Sequence, residues 1–226
     1  GSGAGIMADS DNSGKTSVTA KNIETTGDPG HPLVAEAHHG GETKVTVEDI
    51  SAKDAAIAIS ATSVYEGSVA TVTAGEVTGA KTGISAIAYL ASTATVTAKS
   101  VEAAEKGISL SVSGGGTAAV SVTGDVTSDT IGLYFSSDAD SKASALINGT
   151  LSGTTPVQIS NSATVDNLSL TVWKVEQTGK DGFGEEDYIG SEAFTGTIDY
   201  IIRVQPTTVA GAVLSVEDAD GNPITN

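Results

Sequence analysis

Asp9, Asp11 and Ser13 are the side chains whose types and spacing most resemble a ligand set. They place oxygen atoms at alternate positions ahead of Gly14, as at the start of a calcium-binding loop. Such a loop ends on a glutamate that binds the ion through both oxygens, and this chain has Ala20 there. A polar turn is therefore the favoured interpretation. Weak calcium binding through Asp9, Asp11 and Ser13 is the alternative, and no other cofactor is predicted.

The three histidines, His31, His38 and His39, all lie near the start of the chain. Neighbouring residues of a strand point to opposite faces, so His38 and His39 can share a metal ion only if the chain turns between them. Gly40 and Gly41 follow directly and favour such a turn. A chance metal site here is the alternative to solvated side chains.

The sequence contains no recognisable catalytic set, and no catalytic residue is assigned. It has no cysteine, which excludes thiolate nucleophiles and cysteine metal sites, and it lacks the Gly-x-Ser-x-Gly segment of a strained serine nucleophile. Glu48, Glu76 and Asp125 fall near one register of the repeat described below and predict a ladder of carboxylates. A solvated acidic edge is the favoured interpretation. The alternative is a cation site or a catalytic carboxylate pair, formed by Glu48 or Asp49 with Glu76, Glu102 or Asp125.

Three tyrosines form the predicted ligand-binding surface. Tyr65, Tyr89 and Tyr134 recur in the third part of several repeat units, so they can share one face. Aromatic side chains present a large apolar area with one polar group, which suits them to binding surfaces. Packing within the protein is the alternative role.

A repeat of 24 to 27 residues organises the chain that positions these side chains. One template recurs in Val18-Thr-Ala20-Lys-Asn-Ile23, Val45-Thr-Val47-Glu-Asp-Ile50, Val72-Thr-Ala74-Gly-Glu-Val77 and Val96-Thr-Ala98-Lys-Ser-Val101. Two further copies, which begin at Val120 and Ala145, carry one extra residue before the last apolar position. Periods of this size are typical of solenoids.

A second apolar strip recurs inside each unit. Both strips alternate apolar and small polar residues, which is the period of a strand and not of a helix. Glycines between the strips supply the backbone freedom that corners need. Each unit is therefore predicted to be one coil of two or three short strands. The second strip begins at Leu33, Ile57, Ile84, Ile108, Ile131 and Val157.

The repeat resembles the right-handed parallel β-helix, the pectate-lyase-like fold of bacterial surface and secreted proteins. The resemblance covers residues 16 to about 160 and rests on period and composition. It implies an all-β solenoid of about six coils, with Val, Ile and Leu stacked inside and Thr and Ser outside. Enzymes of this fold that cleave pectate hold calcium with carboxylates and commonly use an arginine as base. The single arginine here, Arg203, lies outside the repeat.

The period ends near residue 160, and this predicts three segments. Residues 1–15 are interpreted as an N-terminal scar or flexible lead, and residues 16–160 as the β-helix repeats. Residues 161–226 are predicted to form a small C-terminal β segment, either a cap on the solenoid or the start of another module. Within it, the runs at 168–175 and 198–204 have the pattern of paired strands.

Composition excludes several classes of partner. The chain has 28 acidic and 11 basic residues and a net charge of −17, whereas nucleic acids and anionic membranes attract proteins of the opposite charge. No apolar run approaches the roughly 18–20 residues that span a bilayer. Only 4% of the residues are aromatic, so the core must be built from small side chains, which favours a thin, elongated architecture.

Together these features predict a non-enzymatic, exported bacterial protein located at the cell surface or outside the cell. Its adhesin-like β-solenoid would bind an extracellular polysaccharide or a surface protein of a host. Two alternatives stay open: a polysaccharide lyase or hydrolase with an unrecognised active site on the same scaffold, and a passive structural stalk. A fold alone does not choose among them, because function depends on the site.

Overall fold

The computed structural model describes residues 5–26, 30–138, 140–160, 168–177, 201–206 and 212–217, and every regular element in these ranges is a β-strand. In chain order they are β1 (Ile6–Ser10), β2 (Lys15–Thr26), β3 (Leu33–His38), β4 (Glu42–Lys53), β5 (Ile57–Val64), β6 (Val69–Thr73), β7 (Glu76–Tyr89), β8 (Thr93–Ala98), β9 (Ser100–Ser113), β10 (Thr117–Val122), β11 (Val126–Ser128), β12 (Ile131–Ser137), β13 (Lys142–Gly153), β14 (Thr155–Ile159), β15 (Leu168–Gln177), β16 (Ile201–Pro206) and β17 (Ala212–Glu217).

Parallel pairing of each strand with the strand one coil further on arranges the chain as a three-faced solenoid. Face A consists of β1, β3, β5, the second halves of β7 and β9, β12 and β14. Face B consists of the first parts of β2, β4, β13 and β15 with β6, β8 and β10 between them. Face C consists of the remaining parts of the long strands and β11. The all-β, parallel solenoid of about six coils is thus confirmed, with three strands per coil.

The first apolar strip lies in register, as the sequence template predicts. Val18 pairs with Val45, Val45 with Val72, Val72 with Val96 and Val96 with Val120 on face B. These residues point inward and stack along the solenoid, and all but Val18 are fully buried. The right-handed sense of the coil stays a prediction.

The second strip is offset by two residues from the prediction in two coils. On face A, Ile59 and not Ile57 pairs with Leu33 and Ile84, and Leu133 and not Ile131 pairs with Ile108. The sequence pattern aligned the first apolar residue of each run in the second strip, so it placed Ile57 and Ile131 in one column with Ile84 and Ile108. Because side chains alternate with a period of two, the offset keeps the inward residues inward but moves Ile57 and Ile131 toward the corner.

Small and branched aliphatic side chains fill the interior. On face A the column from Leu33 through Ile59, Ile84 and Ile108 has no solvent exposure, and Phe135 is the largest of the buried side chains. The narrow lumen explains why a chain with few aromatic residues can still form a continuous core.

The stack extends beyond both predicted limits of the repeat. β1 lies within the stretch interpreted as a lead, yet it pairs in parallel with β3. After residue 160, β15 pairs in parallel with β13 and β16 with β15. The last pair, β16 and β17, is antiparallel. A capping role for this segment stays a prediction.

Three glycines form a column at the corner that leads from face C into face A. A Cβ on Gly107 would lie 2.5 Å from Val126 Cγ1 and 2.6 Å from the carbonyl oxygen of Gly132. A Cβ on Gly83 would lie 2.3 Å from Val101 Cγ1, and one on Gly132 would meet the carbonyl oxygen of Pro156 at 2.6 Å. Glycine is therefore required here for close approach of the next coil.

We expect Gly107→Ala to lower the free energy of unfolding by about 1–3 kcal/mol, the usual cost of overpacking. Ser109→Ala is the matched control, because this half-exposed outward side chain of the same strand should change stability by less than about 0.5 kcal/mol. Urea denaturation followed by circular dichroism measures both. Equal stability of Gly107→Ala and the parent chain would contradict the packing.

Candidate functional site

The three predicted tyrosines lie on or beside face A, in different coils. Tyr89 ends the face A part of β7, where it pairs with Val64 and Ser113. Tyr65 directly follows Val64 in the turn after β5 and is 43% exposed. Tyr134 lies in β12, two coils beyond Tyr89 and opposite Ser109. The structure thus brings Tyr65 and Tyr89 into adjacent coils and leaves Tyr134 apart from them, and their binding role stays a prediction.

Tyr134 has a cation above its ring. The Lys106 ammonium lies 4.6 Å from the ring centroid, within the range of a cation–π interaction. Tyr134 points outward from β12, and Lys106 lies opposite Ile131 at the corner where β9 enters face A. The contact holds Tyr134 against the surface and covers one of its ring faces.

Face A carries almost no charge on its outer surface from β5 to β14. The outward residues in its central columns are hydroxyl, aliphatic, tyrosine and glutamine side chains, and Lys106 is the charged residue beside them. Most are half-buried even though they face solvent, because neighbouring coils stand close together. They are Ser60, Thr62, Val64, Ser85, Ile87, Tyr89, Ser109, Ser111, Ser113, Tyr134, Ser136 and Gln158. We call this set the neutral surface.

Acidic side chains gather instead on face C and its corner with face B. The predicted ladder of Glu48, Glu76 and Asp125 is corrected in one position. Because Ile50 pairs with Val77, Asp49 and not Glu48 lies opposite Glu76. The Asp49 carboxylate accepts a 2.7 Å hydrogen bond from the Glu76 backbone N–H, and Asp125 accepts one of 2.7 Å from the Thr150 N–H. These two carboxylates therefore connect successive coils.

The turns that join face A to face B form a second exposed column, which we call the turn edge: residues 11–14, 39–41, 65–68, 90–92, 114–116, 138 and 140–141. His39, Tyr65 and Leu90 occupy equivalent turn positions and have left-handed φ values of 47°, 73° and 54°. The rings of His39 and Tyr65 stack with centroids 4.2 Å apart, and Leu90 is 50% exposed.

Buried serines tie these turns together. Ser68 Oγ accepts a 3.0 Å hydrogen bond from the Gly40 N–H of the preceding coil, and Ser141 Oγ accepts one of 3.1 Å from the Gly115 N–H. The Ser92 hydroxyl donates to the Ser63 carbonyl at 2.7 Å. Each hydroxyl satisfies backbone groups that the corner removes from strand pairing.

The calcium-like fragment lies in the first coil, where its residues make other contacts. Asp11 Oδ1 accepts a 2.8 Å hydrogen bond from the Asn12 N–H and lies 2.8 Å from His39 Nδ1. This contact with His39 lowers the pKa of Asp11. Asp9, by contrast, lies with Glu36 and His38 on the outside of face A, where one potential ligand atom from each is within 4.8 Å of the others. Calcium binding through Asp9, Asp11 and Ser13 stays a prediction.

Sequence reasoning missed Glu36, although a signal for it was present. Glu36 and His38 are two residues apart on a strand, so they share a face. Asp9 pairs with Glu36 in the structure, at the spacing of 27 residues that the first strip shows for this coil. Applying the repeat period to charged residues as well as apolar ones would have grouped the three side chains.

Fold and surface together define a parallel β-solenoid whose face A has an almost uncharged outer surface from β5 to β14. The outward residues of face B from β6 to β10 are uncharged as well, but they are Val, Thr, Ala and Ser, without an aromatic side chain. The described part of the chain contains no helix long and apolar enough to cross a membrane. Comparison with known proteins finds no matching family model, no similar curated protein and no similar solved structure.

At the turn edge, the contribution of Asp138 to the stability of the fold depends on pH. Its carboxylate accepts hydrogen bonds from the Ser141 hydroxyl and, at 2.6 Å, from the Gly114 N–H, and these donors lower its pKa below the ordinary value. A lowered carboxyl pKa contributes stability above the unfolded-state pKa of about 3.9, and this contribution is lost as the pH falls through the folded-state pKa.

We expect Ser141→Ala to raise the pKa of Asp138 toward its ordinary value, because the first of these donors is removed. Carboxyl chemical shifts followed by NMR during an acid titration measure the change. Ser144→Ala, a half-exposed outward residue of the next strand, should leave the Asp138 titration unchanged. A pKa of Asp138 that is the same in the parent chain and in Ser141→Ala would refute the assigned hydrogen bond.

Proposed function

We propose that this protein is a non-enzymatic, exported surface protein, and that its neutral surface binds a partner in an adhesin-like manner. The observation that carries the proposal is the absence of acidic side chains from the central columns of face A between β5 and β14, in a chain whose net charge is −17. The partner is an extracellular polysaccharide or a surface protein, and the site of action is outside the cell.

Electrostatics supports binding at this surface. Charged groups lose hydration when a partner covers them, and the buried centres of interfaces are correspondingly poor in charge and rich in aromatic residues. The neutral surface has that composition, with hydroxyl groups that can exchange hydrogen bonds with sugar or peptide groups. Face C, which carries many of the acidic residues, lacks it, and the uncharged part of face B lacks the aromatic side chains.

Rigidity supports the same function. The neutral surface consists of paired strands and not of loops, so binding orders few side chains and little backbone. Pre-organisation of this kind reduces the entropic cost of association. The short Ser and Thr side chains also leave the face flat, which suits an extended polymer or another flat surface.

The size of the surface sets the expected affinity. Strands of about seven residues at 3.3 Å each, stacked in five coils about 4.8 Å apart, give an area of roughly 500 Å². A standard protein interface uses about 800 Å² per partner. One copy should therefore bind weakly, and attachment should be strong only when several copies act together.

We expect beads that carry many copies of the chain to retain a polysaccharide, mucin or matrix protein. Beads that carry isolated copies should release the same partner. Ser111→Lys, at the centre of the neutral surface, should abolish retention because it buries a charge in the contact. Thr127→Lys on face C adds the same charge at an exposed position and should retain the partner as the parent chain does.

The same incubation tests the alternatives, since the supernatant can be assayed for released oligosaccharide. Retention without release, lost only in Ser111→Lys, is the expected result. Released sugar would show an enzyme in place of a binding protein. Absence of retention for every candidate partner would favour the passive stalk, and equal loss in both lysine variants would contradict the assignment to face A.

A further inference from the structure

The first two coils interrupt the neutral character of face A with three groups that can ligate a metal. Asp9 on β1 and Glu36 and His38 on β3 each offer one ligand atom, and these atoms lie within 4.8 Å of one another. His38 Nε2 and Glu36 Oε2 lie 3.8 Å apart. The side chains of His38 and Glu36 are 29% and 31% exposed, so solvent and ions can reach them.

The strand register produces this arrangement. Asp9 and Glu36 are direct partners in the parallel pair of β1 and β3, which places their Cβ atoms on the same side about one strand spacing apart. His38 follows Glu36 by two residues and therefore projects from the same face. In the next coil, Thr62 lies opposite Glu36 and Val64 opposite His38, so the group is confined to the first two coils.

The two adjacent histidines differ in their contacts. His39 is in the turn with φ of 47°, its Nδ1 lies 2.8 Å from Asp11 Oδ1, and its ring is stacked on Tyr65. His38 ends the strand and faces Glu36 and Asp9. In the described part of the chain, no residue donates a hydrogen bond to the Asp9 carboxylate. His38, and not His39, is thus the histidine placed for ligation.

We propose that Asp9, Glu36 and His38 bind one divalent transition-metal ion of the Zn²⁺ type, with its remaining coordination positions open to water. The imidazole favours such an ion over calcium, which prefers oxygen ligands. Two carboxylates balance the charge of the ion. Zinc–ligand bonds of about 2.0–2.2 Å require the ligand atoms to lie roughly 3.3–3.6 Å apart, which small side-chain rotations achieve from the observed separations.

The ion would join two coils. Its ligands come from β1, whose single partner in the described sheet is β3, and from β3 itself. Binding would therefore fasten the edge strand of face A to the rest of the stack. A ligand that binds only the folded state stabilises that state by an amount that grows with the logarithm of the ligand concentration once this exceeds the Kd. Because both strands that hold the ion lie at this end, the effect should be localised there.

Isothermal titration calorimetry with ZnCl₂, in a buffer free of chelators and with a chain that carries no histidine tag, tests the site. We expect one ion per chain. Asp9→Asn, Glu36→Gln and His38→Gln should each weaken binding by at least about tenfold, the lower end of the losses found when the support of a metal site is disturbed. His39→Gln and Glu24→Gln, which change a neighbouring histidine and an exposed carboxylate of β2, should bind zinc as the parent chain does.

Hydrogen exchange provides a readout separate from the heat of binding. Zinc should slow exchange of the β1 and β3 amides in the parent chain and in His39→Gln, and should have no such effect in His38→Gln. Excess Ca²⁺ should not remove this protection. The proposal is overturned if the parent chain does not bind zinc, if His38→Gln binds it as tightly, if His39→Gln loses binding equally, or if Ca²⁺ displaces the ion. None of these results depends on whether the neutral surface binds a partner.

Discussion

Backbone hydrogen bonding between parallel strands in consecutive coils is the interaction on which the rest of the structure depends. Val45, Val72 and Val96 occupy one column because the ladder holds each coil in register with the next. The same register places Asp49 and Asp125 in one column at a corner. Each of these carboxylates accepts a hydrogen bond from a backbone N–H of the following coil. A shift by one residue would expose the core and bury the outward hydroxyls. Small interior residues and the glycine column keep the coils close enough for the ladder to form.

The register also separates chemical groups along and around the solenoid. Columns repeat whatever the repeat sequence contains, so face A accumulates hydroxyl groups and face C accumulates carboxylates. Positions at which a coil departs from this repetition are the best candidates for a specific function. Asp9, Glu36 and His38 replace the neutral residues of later coils at one end of face A. In the middle, Tyr134 replaces the serine of its column, and Tyr89 lies between Val64 and Ser113. The proposed binding surface and the proposed metal site arise from these departures, at different heights on one face.

The sequence was sufficient to predict the fold class and the inward residues, because apolar alternation with a fixed period has one simple interpretation. It misplaced Ile57 and Ile131 by two residues, since either apolar residue in Ile57-Ala-Ile59 satisfies the alternation and only the corner geometry distinguishes them. It assigned Glu48 to the acidic ladder, although the template itself aligns Asp49, the residue before Ile50, with Glu76, the residue before Val77. Gly40 and Gly41 indicate a turn after His39. The contacts of His39 with Asp11 and Tyr65 could not be predicted, because His39 and Tyr65 themselves have left-handed backbone conformations that residues other than glycine rarely adopt.

Disulfide trapping tests the in-register stack most directly, because the chain has no cysteine of its own. Ser85 and Ser109 are direct partners on the outside of face A, at a separation that suits a disulfide. The double variant Ser85→Cys/Ser109→Cys should form an intramolecular disulfide under mild oxidation without loss of the folded signal. Ser85→Cys/Ser113→Cys, which places the second thiol four residues out of register, should not. Rapid crosslinking of the second pair, or failure of the first in folded protein, would contradict the stacked register.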